Sequence, residues 1–232
     1  MTGESLNPTP PNHPSERSLP TSPAMTSADP STRLESPRPN LLPKVLPTPE
    51  RPLWVTWFAH PFANWFWFYF GFVAALSGSN MGYPGLGPIV MFGWLTGHLV
   101  NARHPWGELK LFVASLMLGY FGDGLITWLG VLKFRETTPW TWMVPFWMAM
   151  MWPNFAATLN SSMKWLRGRY MTGAILGAIS GPFSYYGGVK WGAVKFGIEY
   201  DFWPAMTIIG FEWLFAMPTL LWLSARWVPQ DA

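Results

Sequence analysis

The chain has 232 residues, a formal net charge of +3 at pH 7 and no cysteine. Half of its residues are hydrophobic and 12% are charged, whereas a soluble domain carries about 25% charged residues. These values exclude a disulfide scaffold, a thiolate metal site and a nucleic-acid-binding protein with a broad basic face. With 17 tryptophans and 17 phenylalanines, the composition indicates a membrane protein rather than a soluble enzyme.

The first part of the chain, residues 1–52, differs in composition from the rest. It holds more than half of the prolines and none of the tryptophans, and it is otherwise rich in serine, threonine and asparagine. Such a segment cannot bury enough apolar surface to offset the entropy lost on ordering. We therefore predict a disordered cytoplasmic tail at 1–52, followed by a transmembrane domain at 53–232.

From Leu53 onward, apolar runs alternate with short connections that carry most of the charge. A membrane helix needs about 20 mostly apolar residues, so the pattern predicts an all-α bundle of six transmembrane helices. The second of them opens with five glycines and prolines between 82 and 88, which predicts irregular first turns and leaves open whether it spans fully. The predicted spans are 60–79, 82–100, 110–132, 142–161, 170–189 and 204–224.

The lysines and arginines near the predicted span ends indicate an orientation. With six spans, the side holding both termini and the loops 101–109 and 162–169 collects eight of them, against four on the other side. Cytoplasmic loops carry an excess of lysine and arginine. We therefore expect both termini to lie in the cytoplasm.

Glycines and prolines predict how the spans pack. The fifth span carries Gly173, Gly177 and Gly181 at four-residue spacing, and the second carries Gly93 and Gly97. Small residues let helix backbones approach closely in a bilayer, so these positions predict helix contacts within one bundle, with a homodimer seam as the alternative. Four prolines fall inside predicted spans and predict kinks: Pro145, Pro153, Pro182 and Pro218.

Two acids lie within predicted spans: Asp123 in the third and Glu212 in the sixth. Ionisable residues at this depth are costly and mark functional sites by default. Both lie close to their span's midpoint, and no lysine or arginine lies in a span interior. One interpretation is a proton- or cation-responsive site. The other is a pair of protonated acids that donate hydrogen bonds to carbonyls or amides.

Other polar residues lie in or near the spans. Asn154 and Asn160 lie in the fourth span, Tyr185 lies in the fifth and His98 lies in the second. Tyr185 either faces the acids or lies at the membrane interface, and His98 is too isolated in sequence to be a metal ligand. Asn160 is followed by a basic segment that either signals topology or contacts lipid headgroups. The headgroup candidates are Lys164, Arg167 and Arg169.

Sequence motifs for catalysis and cofactor binding are absent. The chain contains no HExxH, no GxSxG and no GxxxxGK[ST] sequence, which are the patterns of zincins, α/β-hydrolases and phosphate loops. We therefore expect no metal and no cofactor, and we assign no catalytic residue.

Three sequence runs resemble a known family. They are Thr158 to Leu166, Leu176 to Tyr185, and Asp123-Gly124-Leu125 with Leu129 to Phe134. They resemble a family of small bacterial inner-membrane proteins catalogued as domain of unknown function number 2878, over most of 60–224. The resemblance implies a bacterial cytoplasmic-membrane protein without an assigned reaction, and an association with enzymes that modify membrane fatty acids.

Taken together, these patterns favour a non-enzymatic membrane component that binds lipids or a membrane partner, such as a lipid-modifying enzyme. The patterns also leave open whether the chain forms a homo-oligomer. The first alternative is a small proton-coupled transporter using Asp123 and Glu212. The second is a membrane enzyme acting on acyl chains with the same acids.

Overall fold

The computed structural model describes residues 60–136 and 143–229, so the predicted tail at 1–52 lies outside the described residues. Within them the chain is mostly helical, which confirms the predicted helical class, and each predicted span overlaps one helix. Two three-residue strands, which the sequence did not predict, complete the fold. The elements in chain order are α1 (Pro61–Met81), α2 (Leu86–Asn101), α3 (Pro105–Trp128), β1 (Leu132–Phe134), α4 (Phe146–Leu159), α5 (Tyr170–Trp191), β2 (Val194–Phe196) and α6 (Phe202–Trp227).

The second and fourth helices are shorter than their predicted spans. A turn precedes α2, and Gly82 takes a left-handed φ of 83° there while its N–H bonds back to the end of α1. The prediction of Pro145 inside a helix is wrong, because Pro145 is the N-cap of α4. Proline lacks an N–H and disfavours helical backbone in the residue before it, so it fits just ahead of a first turn.

Two helices, Pro105–Trp128 and Phe202–Trp227, are long and apolar enough to cross a membrane by length and composition. They suggest membrane association. By contrast, α2 has 16 residues and α4 has 14, which correspond to about 24 and 21 Å of helix. Both fall short of a hydrocarbon core about 30 Å thick.

The helix α4 lies at the centre of the described bundle. It packs against α1, α2 and α3 and touches α6, while α5 packs mainly on α6. Most of its side chains are buried, including Trp147, Trp152 and Asn154. The outward faces of the surrounding helices are instead apolar, with exposed side chains such as Phe70, Ile89, Phe92, Phe121, Ile175, Ile179, Phe211 and Phe215.

The strands join two connections at one end of the bundle. β1 follows α3, β2 follows α5, and they pair antiparallel with Leu132 opposite Phe196. Arg135 Nη1 donates to Asn80 Oδ1 at 3.2 Å, so the turn after α1 lies at this end too. The connections after α2 and α4 and the end of α6 form the other end, as expected for helices that alternate in direction.

Candidate functional site

A cavity of about 460 Å³ lies between α1, α4 and α5. We call it the aromatic cavity, because tryptophan, phenylalanine and tyrosine supply much of its wall. A few hydroxyl groups interrupt this apolar lining. The lining residues are Trp65, Phe68, Tyr69, Phe72, Leu76, Trp147, Met148, Met151, Trp152, Phe155, Thr158, Ser162, Met163, Trp165, Ser180, Gly181, Ser184, Tyr185, Gly188, Val194 and Trp213.

The aromatic cavity is closed at one end and open at the other. At the strand end, α1 and α5 approach closely, because a Cβ built on Gly188 would lie 3.6 Å from Leu76 Cδ2 and 3.2 Å from Val194 Cγ2. Towards the other end, the lining residues Trp65 and Tyr69 are nearly half exposed. The cavity is therefore a slot that opens sideways between α1 and α5.

Asp123 lies directly behind the wall of the aromatic cavity and is fully buried. Trp152 Nε1 donates to Asp123 Oδ2 at 2.8 Å, and the Tyr185 hydroxyl donates to Asp123 Oδ1. Both donors belong to cavity-lining residues. Gly119 makes the space for this arrangement, since a Cβ there would meet the Trp152 ring at 2.0 Å. The acid thus holds two aromatic side chains of the wall in position.

Glu212 lies beside this acid, at the contact between α3 and α6. Both of its carboxyl oxygens are buried, and neither has a hydrogen-bond partner among the described residues. Its Oε1 lies 2.2 Å from the position of a Cβ on Gly122, the residue before Asp123. Tyr185 lies within electrostatic reach of both acids. The structure therefore brings Asp123, Glu212 and Tyr185 together in one layer.

Asn154 occupies a different layer. It is fully buried, accepts a hydrogen bond from Trp94 Nε1 at 2.8 Å and donates to the Phe68 carbonyl at 3.1 Å. These two bonds join α4 to α2 and α1. The amide of Asn154 therefore holds α4 against α1 and α2.

A polar network joins the helices at the end opposite the strands. Asn160 Nδ2 donates to Glu108 Oε2 at 3.3 Å, and Asn160 Oδ1 accepts from Ser224 Oγ at 2.5 Å. Arg167 donates to the same Oδ1 at 3.3 Å. The network connects α3, the segment after α4 and α6 through a single amide.

Among the proposed headgroup residues, the structure separates Arg167 from the other two. Arg167 Nη2 donates to the carbonyls of Ala225 and Val228 at 3.0 and 2.6 Å. It therefore caps the C-terminus of α6, where a cation also suits the helix dipole. Lys164 and Arg169 remain exposed.

Two polar residues of this end were not among the predicted site residues. Glu108 is buried, and His98 Nε2 lies 3.7 Å from its Oε1. Asn64 is also buried and donates to the Ala157 carbonyl at 2.9 Å, while it accepts from Ser162 Oγ at 2.8 Å. An asparagine within the aromatic run of α1 was a usable signal, whereas Glu108 fell in a segment interpreted as a loop.

The glycines differ in their surroundings. Gly173, Gly177 and Gly181 face α6, where added Cβ atoms would meet Leu221, Met217 and Trp213. The exposed Gly93 has open space around it. Among residues 60–136 and 143–229, no group of three or more histidines and acids is placed to hold a metal ion.

Comparison with known proteins gives one match. A family model described as "Protein of unknown function (DUF2878)" matches residues 61–219. No curated protein and no solved structure matches the chain significantly.

Proposed function

We propose that this chain, which belongs to the DUF2878 family, is an integral membrane protein that holds one acyl chain of a membrane lipid in the aromatic cavity. In this proposal all six helices lie in a bacterial cytoplasmic membrane, with both termini in the cytoplasm. The protein acts as a lipid-associated component and not as an enzyme.

The size and lining of the aromatic cavity carry this proposal. Its volume is about 460 Å³, and a water-sized group, which a methylene resembles, occupies about 30 Å³ of liquid. The cavity thus offers space for roughly 15 methylene groups, close to one acyl chain. Ligand pockets of this size are mostly apolar and carry a few polar groups that fix orientation.

The polar groups of the cavity suit a lipid that enters from the cytoplasmic leaflet. Thr158 and Ser162 lie at the open end, at the level of the connection after α4. Lys164 and Arg169 are exposed on the same connection, where their charges attract anionic headgroups. The closed end at Leu76 and Val194 would then receive the methyl end of the chain.

Three observations support the membrane part of the proposal. Two helices pass the length and composition test for spanning, and the outward faces of the helices expose large apolar side chains. The loops that alternate between the two ends also differ in their lysine and arginine content. The short helices α2 and α4 fit a bundle in which neighbouring helices cover their ends.

Filling the cavity tests the proposal. Ser180 is an exposed residue of the cavity lining, and among the described residues its hydroxyl bonds only to the carbonyl of Leu176 on its own helix. Ser180→Trp should place a ring in the space of the acyl chain. We expect the purified variant to lose most of the lipid that co-purifies with the wild type, measured by native mass spectrometry and lipid extraction.

Thr219→Trp is the matched control. Thr219 is exposed on α6, makes the same bond to the carbonyl four residues earlier, and lies outside the cavity lining. It should retain the wild-type lipid. Equal lipid content in both variants and the wild type would overturn the proposed cavity occupant.

A second function, a proton-coupled transporter, is favoured by one observation. Trp152 and Tyr185 both line the cavity and both donate to Asp123, so movement of a cargo in the slot would disturb the acid. Proteoliposomes under an imposed membrane potential test it. A proton flux that the Asp123→Asn variant abolishes would favour transport, whereas equal flux through both proteins would exclude it.

A further inference from the structure

We propose that Asp123 and Glu212 together form a proton-binding site, in which Glu212 carries the exchangeable proton and Asp123 carries the negative charge. The site lies outside the space proposed for the acyl chain, because neither acid lines the aromatic cavity. The inference therefore does not require that cavity to hold a lipid.

The hydrogen bonds assign the charge to Asp123. Each of its carboxyl oxygens accepts a hydrogen bond, one from Trp152 Nε1 at 2.8 Å and one from the Tyr185 hydroxyl. An indole N–H can only donate, and an ionised carboxylate can only accept. Hydrogen bonds to a charged acceptor are roughly twice as strong as neutral ones. Two donors directed at the two oxygens therefore fit the carboxylate form.

The absence of donors assigns the proton to Glu212. Neither of its buried oxygens has a hydrogen-bond partner among the described residues. A buried carboxylate without a donor or a cation would bear its full desolvation cost. The carboxylate of Asp123 nearby adds repulsion, which is strong where water is excluded. These surroundings therefore favour the neutral, protonated form of Glu212.

The groups facing Glu212 contain no compensating cation among the described residues. α3 contributes Asp123, and α5 contributes the neutral hydroxyl of Tyr185. The sequence of α4, Phe146–Leu159, contains no titratable residue, and its contribution to this layer is the indole of Trp152. A proton on Glu212 therefore removes one of the two negative charges that this layer would otherwise hold without a cation.

Glu212 lies nearer the outer face of the bundle than Asp123. Asp123 is fully buried, whereas the Glu212 side chain is partly exposed and lies over Gly122, although both of its carboxyl oxygens are buried. The neighbouring Phe121 is 66% exposed on that face. A small hydrophobic reagent dissolved in lipid or detergent therefore reaches the Glu212 carboxyl group through a change of its side-chain rotamer, whereas Asp123 is covered on all sides.

Carbodiimide labelling tests the assignment. Dicyclohexylcarbodiimide adds to protonated carboxyl groups in apolar surroundings, where the acid's proton moves to a carbodiimide nitrogen and the carboxyl oxygen bonds to the central carbon. We expect the full-length protein in membranes to carry one adduct on Glu212, mapped by peptide mass spectrometry. The yield should fall as the pH is raised.

Two variants and one salt series complete the test. Glu212→Gln should lose the adduct, and Asp123→Asn should keep it on Glu212. An adduct on Asp123, or none on Glu212 at any pH at which the protein stays folded, would overturn the proposal. So would protection by Na⁺ at constant pH, since that would make the site a metal-cation site. If Glu212→Gln fails to fold, the mapped position in the wild type decides alone.

Discussion

Replacing Gly177 by alanine should increase the separation between α5 and α6. A Cβ at this position would lie 2.7 Å from Met217 Cβ and 2.9 Å from the Trp213 carbonyl oxygen. The first distance is about 0.7 Å shorter than the 3.4 Å at which ordinary contact begins. Neither atom is the end of a flexible side chain, so relief requires the helices to move.

The expected magnitude follows from two opposing terms. Overpacking a close interface costs about 1–3 kcal/mol, while glycine to alanine inside a helix gains about 1 kcal/mol. Gly93 has open space around it, so Gly93→Ala should show the gain alone. Gly177→Ala should therefore unfold at a lower temperature than Gly93→Ala, by roughly 2–4 °C for each kcal/mol of overpacking.

A thermal-shift series in one detergent measures the difference. Gly173→Ala should give an intermediate result. Its Cβ would meet Leu221 Cδ1 at 2.3 Å, but that methyl group can rotate away. We expect Gly93→Ala to have the highest melting temperature of the three variants, Gly173→Ala an intermediate one and Gly177→Ala the lowest. Equal melting of the Gly93 and Gly177 variants would show that the glycine face of α5 does not pack against α6.

Three further predictions concern other parts of the bundle. Trp152→Phe keeps the ring but removes the N–H donor to Asp123, which should lower stability by about 1.5–3 kcal/mol; unchanged melting would contradict the hydrogen bond. Asn64→Ala removes the partner of a buried carbonyl and of the partly buried Ser162 hydroxyl and should cost about 1–3 kcal/mol for the buried carbonyl, whereas the exposed Thr207→Ala should melt like the wild type. Because the chain has no cysteine, single-cysteine variants report topology: an impermeant thiol reagent should label Glu199→Cys in intact cells and Arg169→Cys only in inverted vesicles, and the reverse pattern would refute the orientation.

The helices, and the positions of the two acids within them, could be predicted from sequence because both depend on local pattern. Apolar runs of helical length are bounded by glycine, proline and charge, so each predicted span overlaps a helix. Asp123 and Glu212 each lie close to the midpoint of a predicted span, and the structure places Glu212 against Gly122. The four-residue spacing of glycines on α5 predicted a helix contact, which is made with α6, whereas Gly93, predicted in the same way, has open space around it.

The aromatic cavity could not be predicted in this way. It depends on the separation between α1 and α5, which are distant in sequence and approach each other near Leu76 and Gly188. The hydrogen-bond partners of Arg167 could not be predicted either. A basic residue near a membrane surface gives the same sequence pattern whether it binds lipid or caps a helix. The strands are too short to show the alternation of hydrophobic and polar residues by which strands are predicted.

The pairing of β1 with β2 also determines how the bundle can deform. Main-chain hydrogen bonds tie the connection after α3 to the connection after α5, and Arg135 adds the end of α1. The helices are therefore held together at that end, and a rotation of α1 relative to α5 about it would move Leu76 little and Trp65 most. Such a rotation would widen the slot at the end opposite the strands, so a wider occupant would fit there without loss of the contacts at the strands.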